Sequence, residues 1–503
     1  MTFQDLLDGA EVLALSGNPD VSSVEYDSRQ VRPGSAFVAM RGETSDGNRF
    51  IDRAIQAGAV AVVTDSPAES PREGVAWAIV PHGRRALARL SANFYKRPAE
   101  RLAIIGITGT NGKSTTAFLI EAILAAARRK TALIGTIEYH VAGRVCPAPH
   151  TTPEALELAR IFNEALGQGA SDVVMEVSSH ALAQQRIFGV PFDVAVFTNL
   201  TRDHLDYHKT MDEYFAAKRV LFEGCGTDPP RAAVINLDDD YGAKLAGFSR
   251  KRSSVLLTYG WSRGDFHAAS VDITPRGTRF DLVTPEQKLA VFSPLLGRVN
   301  VYNILAAAAA CHSRGCSSDA IARGIAALTH VPGRFQRLDC GQPFTVVVDY
   351  AHTDDALRNL TGLAREFVTR AGPRGRVLTL FGCGGDRDRA KRPMMGEAAG
   401  RGSDFVVLTS DNPRSEDPLT IINDALVGLQ KTGVAYRIEP DRRKAIALAI
   451  REASPADIIL LAGKGHEKVQ VTAEGTIPFD DVEVAREALR TAGYECAATG
   501  TQA

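Results

Sequence analysis

The sequence predicts an α/β protein of three domains with largely parallel sheets. Short apolar runs alternate with helical patterns along most of the chain, as they do where parallel strands are joined through helices. At 503 residues the chain is too long for one hydrophobic core and suggests about three domains. The third observation is a glycine-rich turn between a strand pattern and a helix pattern, Gly106-Ile-Thr-Gly-Thr-Asn-Gly-Lys-Ser-Thr115.

Taken in order, the first unit is small and runs over 1–98. Its strands are Ser35-Ala-Phe-Val-Ala-Met40 and Ala59-Val-Ala-Val-Val63, and a helix pattern covers 51–57. It closes on the amphipathic run Arg84-Arg-Ala-Leu-Ala-Arg-Leu-Ser-Ala-Asn-Phe-Tyr95. The second unit, 99–337, begins with the strand Leu102-Ala-Ile-Ile105 and its glycine-rich turn. Further strands follow at Asp172-Val-Val-Met-Glu-Val177, Phe192-Asp-Val-Ala-Val-Phe197 and Ala232-Ala-Val-Ile235, then an Ala-rich helix over 303–311. The third unit, 338–503, repeats one arrangement four times, an apolar run ending in a polar or glycine-rich cluster, which predicts a Rossmann-like sheet. The clusters are Asp349-Tyr-Ala-His352, Gly382-Cys-Gly-Gly-Asp-Arg387, Asp411-Asn-Pro-Arg414 and Gly463-Lys-Gly-His-Glu467. Ligands of open α/β sheets bind beyond the carboxyl ends of the strands, so four such ends predict a site on one rim.

Composition excludes several classes. With 45% hydrophobic and 23% charged residues the chain reads as ordinary globular protein. A net charge of −1 gives nothing global to attract nucleic acid or an anionic membrane, so any polyanion must be held by local clusters. Seven scattered cysteines without a C-x-x-C pair fit a reducing cytoplasm and argue against a thiolate zinc site. The first residues lack a signal-peptide pattern, and no apolar run approaches the roughly 18 residues of a membrane span. A cytoplasmic protein, acting as a monomer, is expected.

The turn over 106–115 predicts a phosphate cradle. Backbone N–H groups of Gly109, Thr110, Asn111 and Gly112 can face phosphate oxygens, Lys113 adds charge, and Ser114 with Thr115 opens the helix beside Mg²⁺. The strict P-loop pattern has Gly where this chain has Ile107, so the loop is a variant. In Val174-Met-Glu-Val-Ser-Ser-His180 a buried strand delivers Glu176, whose charge needs a cation: either Mg²⁺ beside the nucleotide or a neighbouring Lys or Arg. His204 and His208 have a zinc-like spacing without further zinc partners, leaving Mg²⁺ with one imidazole or a structural role. Lys218 falls on the apolar face of its helix among Tyr214, Phe215, Leu221 and Phe222. It is either a desolvated amine able to form a carbamate with CO₂ or a lysine that snorkels to solvent. The cations of Gly384-Gly-Asp-Arg-Asp-Arg-Ala-Lys-Arg392 read alone as a solvated face. The Asn-Pro turn ending in Arg414 offers a guanidinium suited to a carboxylate.

With these pieces the chain resembles the Mur ligases of peptidoglycan synthesis, end to end. The resemblance rests on Tyr26-Asp-Ser-Arg29, Phe37-Val-Ala-Met-Arg-Gly42, Thr108-Gly-Thr-Asn-Gly-Lys-Ser114, Met175-Glu-Val-Ser-Ser-His-Ala-Leu182, Thr198-Asn-Leu-Thr-Arg-Asp-His-Leu-Asp-Tyr-His208 and Asn300-Val-Tyr-Asn303, with the four clusters of the third unit. It implies ATP-dependent amide formation through an acyl phosphate, serving cell-wall growth and division. Asp411-Asn-Pro-Arg414 is similar to the signature of forms that add meso-diaminopimelate to UDP-N-acetylmuramoyl-L-alanyl-D-glutamate. The resemblance implies that Ser28, Glu43, Thr44, Ser45, His150, Thr151, Thr152, Ser178, Gln184 and Arg186 hold the UDP-linked substrate. Asn303, Arg334 and Asp349 would join the loop residues 109–115 at ATP. Ser114, Glu176, His204 and a carbamylated Lys218 would manage Mg²⁺. Arg387, Asp411, Asn412, Pro413, Arg414, Gly463 and Glu467 would grip diaminopimelate. Two positions depart from the family pattern: His150 replaces an Asn before Thr-Thr-Pro, and Gln336 a Glu after Gly-Arg-Phe.

Overall fold

The protein is described by a computed structural model covering all residues except 43–44, 142, 275, 372–374 and 497–503. Glu43 and Thr44 therefore lie outside the described residues. Three main sheets follow one another along the chain. The first has five strands in the order Ala14–Ser16, Ala76–Ile79, Ala61–Thr64, Ser35–Ala39, Ser23–Glu25, antiparallel only at Ala14–Ser16. The helix Gly83–Phe94 covers it with Leu87 and Leu90 buried.

The second sheet has eleven strands. Its middle is parallel, with Ala103–Thr108 between Val194–Phe197 and Asp172–Glu176. All three strands are buried along most of their length, which is why they read as continuous apolar runs. Their carboxyl ends lie side by side, so the glycine-rich turn, Glu176 and the segment leading to His204 start from one edge. The helices Lys113–Ala126, Arg298–Ser313 and Ser318–Ala327 pack together on this sheet.

Antiparallel additions flank the parallel middle. One comprises Phe266–Thr274, Gly277–Val283 and Lys288–Ser293, the other the hairpin Glu138–Val141 and Arg144–Pro147. Neither was expected: Arg144–Pro147 is exposed throughout, and the short apolar run Leu289-Ala-Val-Phe292 within Lys288–Ser293 was not singled out from sequence. On the hairpin, His140 Nδ1 lies 2.8 Å from Glu121 and Nε2 lies 2.9 Å from Glu138. Burial alone would depress its pKa, but the two carboxylates outweigh it and raise the imidazole to about 9. An unfolded His titrates near about 6.5, so this contribution to stability is complete below that pH and is lost as pH rises through about 9. The thermal midpoint is therefore expected to fall between pH 7 and pH 10 by an increment that His140→Leu lacks. Identical pH dependence of the two proteins in calorimetry would refute this.

The third sheet orders Gln336–Leu338, Thr345–Asp349, Ile458–Ala462, Val377–Phe381, Phe405–Leu408 and Ala435–Ile438, antiparallel only at its first strand. Gln336–Leu338 straddles the break expected at 337 and pairs with this sheet. The four motif-bearing strands are contiguous, so their clusters share one rim. The cysteine reading needs one correction: Cys340 and Cys496, 156 residues apart, form a disulfide, a pairing that sequence spacing did not reveal. Cys146, Cys225, Cys311, Cys316 and Cys383 are free.

Candidate active site

The cradle owes its shape to two glycines. Gly109 has φ +146°, and a Cβ there would sit 1.9 Å from Thr198 Oγ1. Gly112 has φ +88°, and a Cβ would sit 2.4 Å from Asn303 Oδ1. Ile107 is instead a fully buried strand residue in the core, which explains why this loop tolerates it. Thr198 and Asn199, unassigned from sequence, hold the turn: Thr198 Oγ1 donates to Asn111 O at 2.7 Å, and Asn199 Oδ1 accepts from Asn111 N at 2.9 Å. Lys113 Nζ donates to the carbonyls of Gly109 and Thr110, each at 3.0 Å.

A cavity of about 470 Å³ opens from this loop toward the third sheet, lined by Asn111, Gly112, Ser114, Thr115, Asn303, Arg334 and Asp349 among others. Arg334 Nη2 donates to Ser114 Oγ at 3.4 Å, and its guanidinium lies 4.8 Å from the Tyr350 ring centre. Asp349 accepts from Phe335 N and Ala351 N at 2.7 and 2.8 Å. Burial raises its pKa, with Arg334 opposing. Gln336, one of the two departures, keeps a bonding role by accepting from Gly333 N at 2.9 Å.

Glu176 is 1% exposed. Its two oxygens accept from Thr136 N at 2.8 Å and Thr136 Oγ1 at 2.9 Å. Among the described residues no Lys or Arg nitrogen lies within 4.0 Å of it, and the cation it acts on electrostatically is Lys113, whose charged form it favours against burial. Lys218 is 1% exposed, with Nζ donating to Gly109 O at 2.8 Å and lying 4.6 Å from the Tyr214 ring centre. It does not snorkel. Desolvation first, then the Lys113 charge, pushes its amine well below the usual lysine range. His204 has φ +53°, and burial with the neighbouring cationic groups lowers the pKa of its imidazole, with Asp203 opposing.

As the chain stands, the described residues include no group of three or more His, Cys, Asp or Glu able to hold a metal. The donors nevertheless fit Mg²⁺ once Lys218 carries a carboxyl group. A buried amine with one carbonyl acceptor and a second lysine nearby would lose an unfavourable positive charge, and Glu176 retains acceptor capacity beyond its two bonds.

Asp203, beside His204, is a hub that sequence reasoning left unassigned. It is 6% exposed, 3.5 Å from Lys391 Nζ and 3.9 Å from His352 Nε2, both of the third unit. Burial works against its charge, yet His204, Lys391 and His352 hold its carboxyl below the usual range. Asn111 Nδ2 donates to Asp355 at 3.1 Å across the same boundary.

On the other side of Glu176, Thr152 Oγ1 donates to Glu176 O at 2.9 Å and accepts from Ser178 N at 3.0 Å. Arg186 donates to Thr152 O at 2.9 Å and to Gln184 Oε1 at 2.7 Å. Thr151 Oγ1 lies 3.1 Å from Thr136 Oγ1, and the His150 carbonyl accepts from Tyr139 Oη. These six predicted residues form one wall. Ser28 is buried in the first unit, and Ser45 O accepts from Gly42 N at 2.9 Å; among the described residues neither hydrogen-bonds to that wall. The two units meet nearby through Arg84–Glu154 and Arg85–Gln185.

A second pocket, about 220 Å³, is lined by Arg387, Asp411, Asn412, Arg414, Gly463 and Glu467, with Asp203 and His204 at its central-unit side. Pro413 shapes the turn without lining the pocket: a Cβ at Gly385 would lie 1.8 Å from its carbonyl oxygen. Arg414, at φ +54°, donates through Nη1 to Gly385 O at 2.8 Å. Lys464, fully buried, gathers Asn412 Oδ1 at 2.9 Å, Glu467 Oε2 at 3.2 Å and Asp411 Oδ1 at 3.4 Å. The cation-rich run over 387–392 separates. Arg387 faces the pocket, Lys391 pairs with Asp203, Arg392 is buried against Glu416 and Asp424, and Arg389 stays exposed. Arg387 and Arg414 in one pocket with Asp411 and Glu467 suit an amino acid with its own carboxylate and ammonium.

A cavity at a phosphate-type loop that shares Tyr350 and His352 with a second pocket lined by arginines and carboxylates fits a class, the ATP-driven ligases that activate a carboxylate for an amine. Family models narrow this: Mur ligase family catalytic domain over 20–95, Mur ligase middle domain over 107–311, and Mur ligase glutamate ligase domain over 333–465. The chain belongs to the Mur ligase family. It is 56% identical to a protein of Solibacter usitatus over 94% of both chains, named UDP-N-acetylmuramoyl-L-alanyl-D-glutamate--2,6-diaminopimelate ligase. A Geobacillus thermodenitrificans protein of the same name is 46% identical over 94% of this chain and 96% of its own. A solved structure of that name superposes with a TM-score of 0.68 at 33% identity, covering 98% of this chain and 99% of the other. The MurF ligase of Thermotoga maritima in complex with ADP shares the fold at 18% identity, with a TM-score of 0.63 over 94% and 97% of the two chains.

Proposed function

We propose that this chain joins meso-diaminopimelate to the D-glutamyl γ-carboxylate of UDP-N-acetylmuramoyl-L-alanyl-D-glutamate, cleaving ATP to ADP and phosphate, in peptidoglycan precursor synthesis. The observation that carries this reading is the pocket of Arg387, Arg414, Asp411 and Glu467, which shares Tyr350 and His352 with the cavity at the phosphate loop. We take 1–98, 99–337 and 338–503 as the units for UDP substrate, ATP and diaminopimelate. The protein acts as a monomer in the cytoplasm, where its nucleotide-linked substrates are consumed. No helix among the described residues is long and apolar enough to cross a membrane.

In the first half-reaction the γ-carboxylate attacks the γ-phosphorus of ATP, forming an acyl phosphate and releasing ADP. Backbone N–H groups of 109–112 orient the phosphates, while Lys113 and Arg334 offset the charge that develops on them. Bound Mg²⁺ would neutralise phosphate charge, held by Ser114, Glu176, His204 and carbamylated Lys218. The wall from His150 to Arg186 positions the UDP-linked dipeptide, with Ser28 and Ser45 at its nucleotide end. In the second half-reaction the amine attacks the acyl carbon, the carbon–nitrogen bond forms, phosphate leaves and the amine gives up a proton. Arg414 and Arg387 hold the amino acid's carboxylate and Asp411 with Glu467 its ammonium, while the Asp203–Lys391 contact joins the central and third units at this pocket.

Phosphate release is expected only when ATP, the UDP-dipeptide and diaminopimelate are all supplied. Assays with folate and glutamate should stay at background. Turnover of ATP without an amino acid, or activity with folate alone, would overturn the reading.

A further inference from the structure

Arg442 and Asp481 are charged, enclosed and outside every residue set described above, at 1% and 0% exposure. Each opens a helix, Arg442–Glu452 and Asp481–Thr491. The guanidinium meets the carboxylate through Nε at 2.8 Å and Nη2 at 2.6 Å. Its remaining bonds go to backbone: Nη2 donates to Ala462 O at 3.0 Å and Nη1 to Ser410 O at 3.3 Å. A buried ion pair alone contributes little to stability, because desolvation offsets its attraction. The two carbonyls are what make this one informative.

Ser410 immediately precedes Asp411, and Ala462 immediately precedes Gly463. These residues follow or end the strands Phe405–Leu408 and Ile458–Ala462, which do not pair with each other because Val377–Phe381 lies between them. No backbone ladder therefore fixes one end against the other directly. The guanidinium spans the gap from behind. On the cavity side the two ends come close: a Cβ at Gly463 would lie 3.2 Å from Asp411 Oδ2.

We propose that Arg442, oriented by Asp481, is a positioning residue of the amine-substrate pocket. It sets the separation of Asp411 and Gly463 by tying the carbonyls of the residues before them. The proposal rests on reading that pocket as the diaminopimelate site. Lysine cannot replace Arg442, since one ammonium on a flexible stem does not reproduce a planar fork bonded to a carboxylate and two carbonyls.

The test is steady-state kinetics on the full chain, each of the three substrates varied in turn. Arg442→Lys and Asp481→Asn are compared with the paired replacement Arg442→Met/Asp481→Leu, which removes both charges and is expected to fold. In all three the KM for diaminopimelate should rise about tenfold or more, because small misplacements of binding groups have large effects. The KM values for ATP and for the UDP-dipeptide should stay within about twofold, and the paired variant should melt with the parent. A paired variant with parental KM for diaminopimelate, or a parallel rise in all three KM values, overturns the brace. If the paired variant does not fold, Asp481→Asn decides by the same criteria. A parent enzyme that does not depend on diaminopimelate overturns the site reading and the brace together; a dependent parent without the KM split overturns the brace alone.

Discussion

Lys218→Ala is expected to lower kcat by about 100- to 1,000-fold, the range found when one charge-stabilising group is removed from a preorganised site. The geometry makes this more than the loss of a buried lysine. Nζ has one hydrogen-bond acceptor, the Gly109 carbonyl, in the loop that cradles phosphate. The nearby Lys113 repels a positive charge there, and desolvation adds to that penalty. A neutral amine reacts with CO₂, forming an N–C bond and giving up a proton, which leaves a carbamate anion near His204. If that anion is what the reaction uses, millimolar formate, acetate or propionate should restore part of the activity of Lys218→Ala, by supplying a free carboxylate in the space left by the side chain. Lys218→Arg should gain nothing from the same additives, since the guanidinium fills the space and stays charged. Full activity in Lys218→Ala would return the residue to a packing role. Low activity without rescue would leave it structural and refute the carbamate.

The contrast between Lys218 and Asp203 shows where the sequence was readable. Lys218 stood out because four apolar neighbours at helical spacing made a lysine incongruous, and its burial follows from that local pattern. The phosphate loop and the four strand ends were legible for the same reason, each lying within one continuous stretch. Asp203 was quoted in its motif but given no role, since its partners Lys391 and His352 come from another unit. Thr136, which satisfies both oxygens of Glu176, lies in an ordinary loop 40 residues earlier. Lys464 lay inside a recognised motif, yet its convergence on three acceptors required the strand ends to be brought together. The antiparallel additions went unseen because Arg144–Pro147 is wholly exposed and a four-residue apolar run such as Leu289-Ala-Val-Phe292 does not identify a strand by itself. Contacts made by folding distant segments leave no spacing to read; only a residue out of keeping with its neighbours signals them.

Arg414→Ala is expected to raise the KM for diaminopimelate by on the order of 100-fold, in keeping with about 2–5 kcal/mol for truncating one side of a partly buried charge pair. The residue is aimed with care. Its backbone is left-handed at φ +54°, its amide donates to Val471 O at 3.0 Å, and Nη1 is tied to Gly385 O at 2.8 Å. These contacts fix the guanidinium in advance, so little side-chain entropy remains to be lost on binding. Burial and the nearby Arg387 charge disfavour its positive form in the free protein, so an arriving carboxylate relieves an existing strain in charge. Arg414→Lys should recover little, because a single ammonium cannot grip a carboxylate at two points or keep the bond to Gly385 in the same geometry. The largest change should fall on discrimination. Diaminopimelate carries a second carboxylate that L-lysine lacks, and a site built for it leaves the guanidinium unpaired when lysine binds. Arg414→Ala should therefore narrow the preference for meso-diaminopimelate over L-lysine chiefly by weakening the former, measured as the ratio of kcat/KM for the two amines. An unchanged ratio would move the carboxylate contact to Arg387, the other guanidinium lining the pocket.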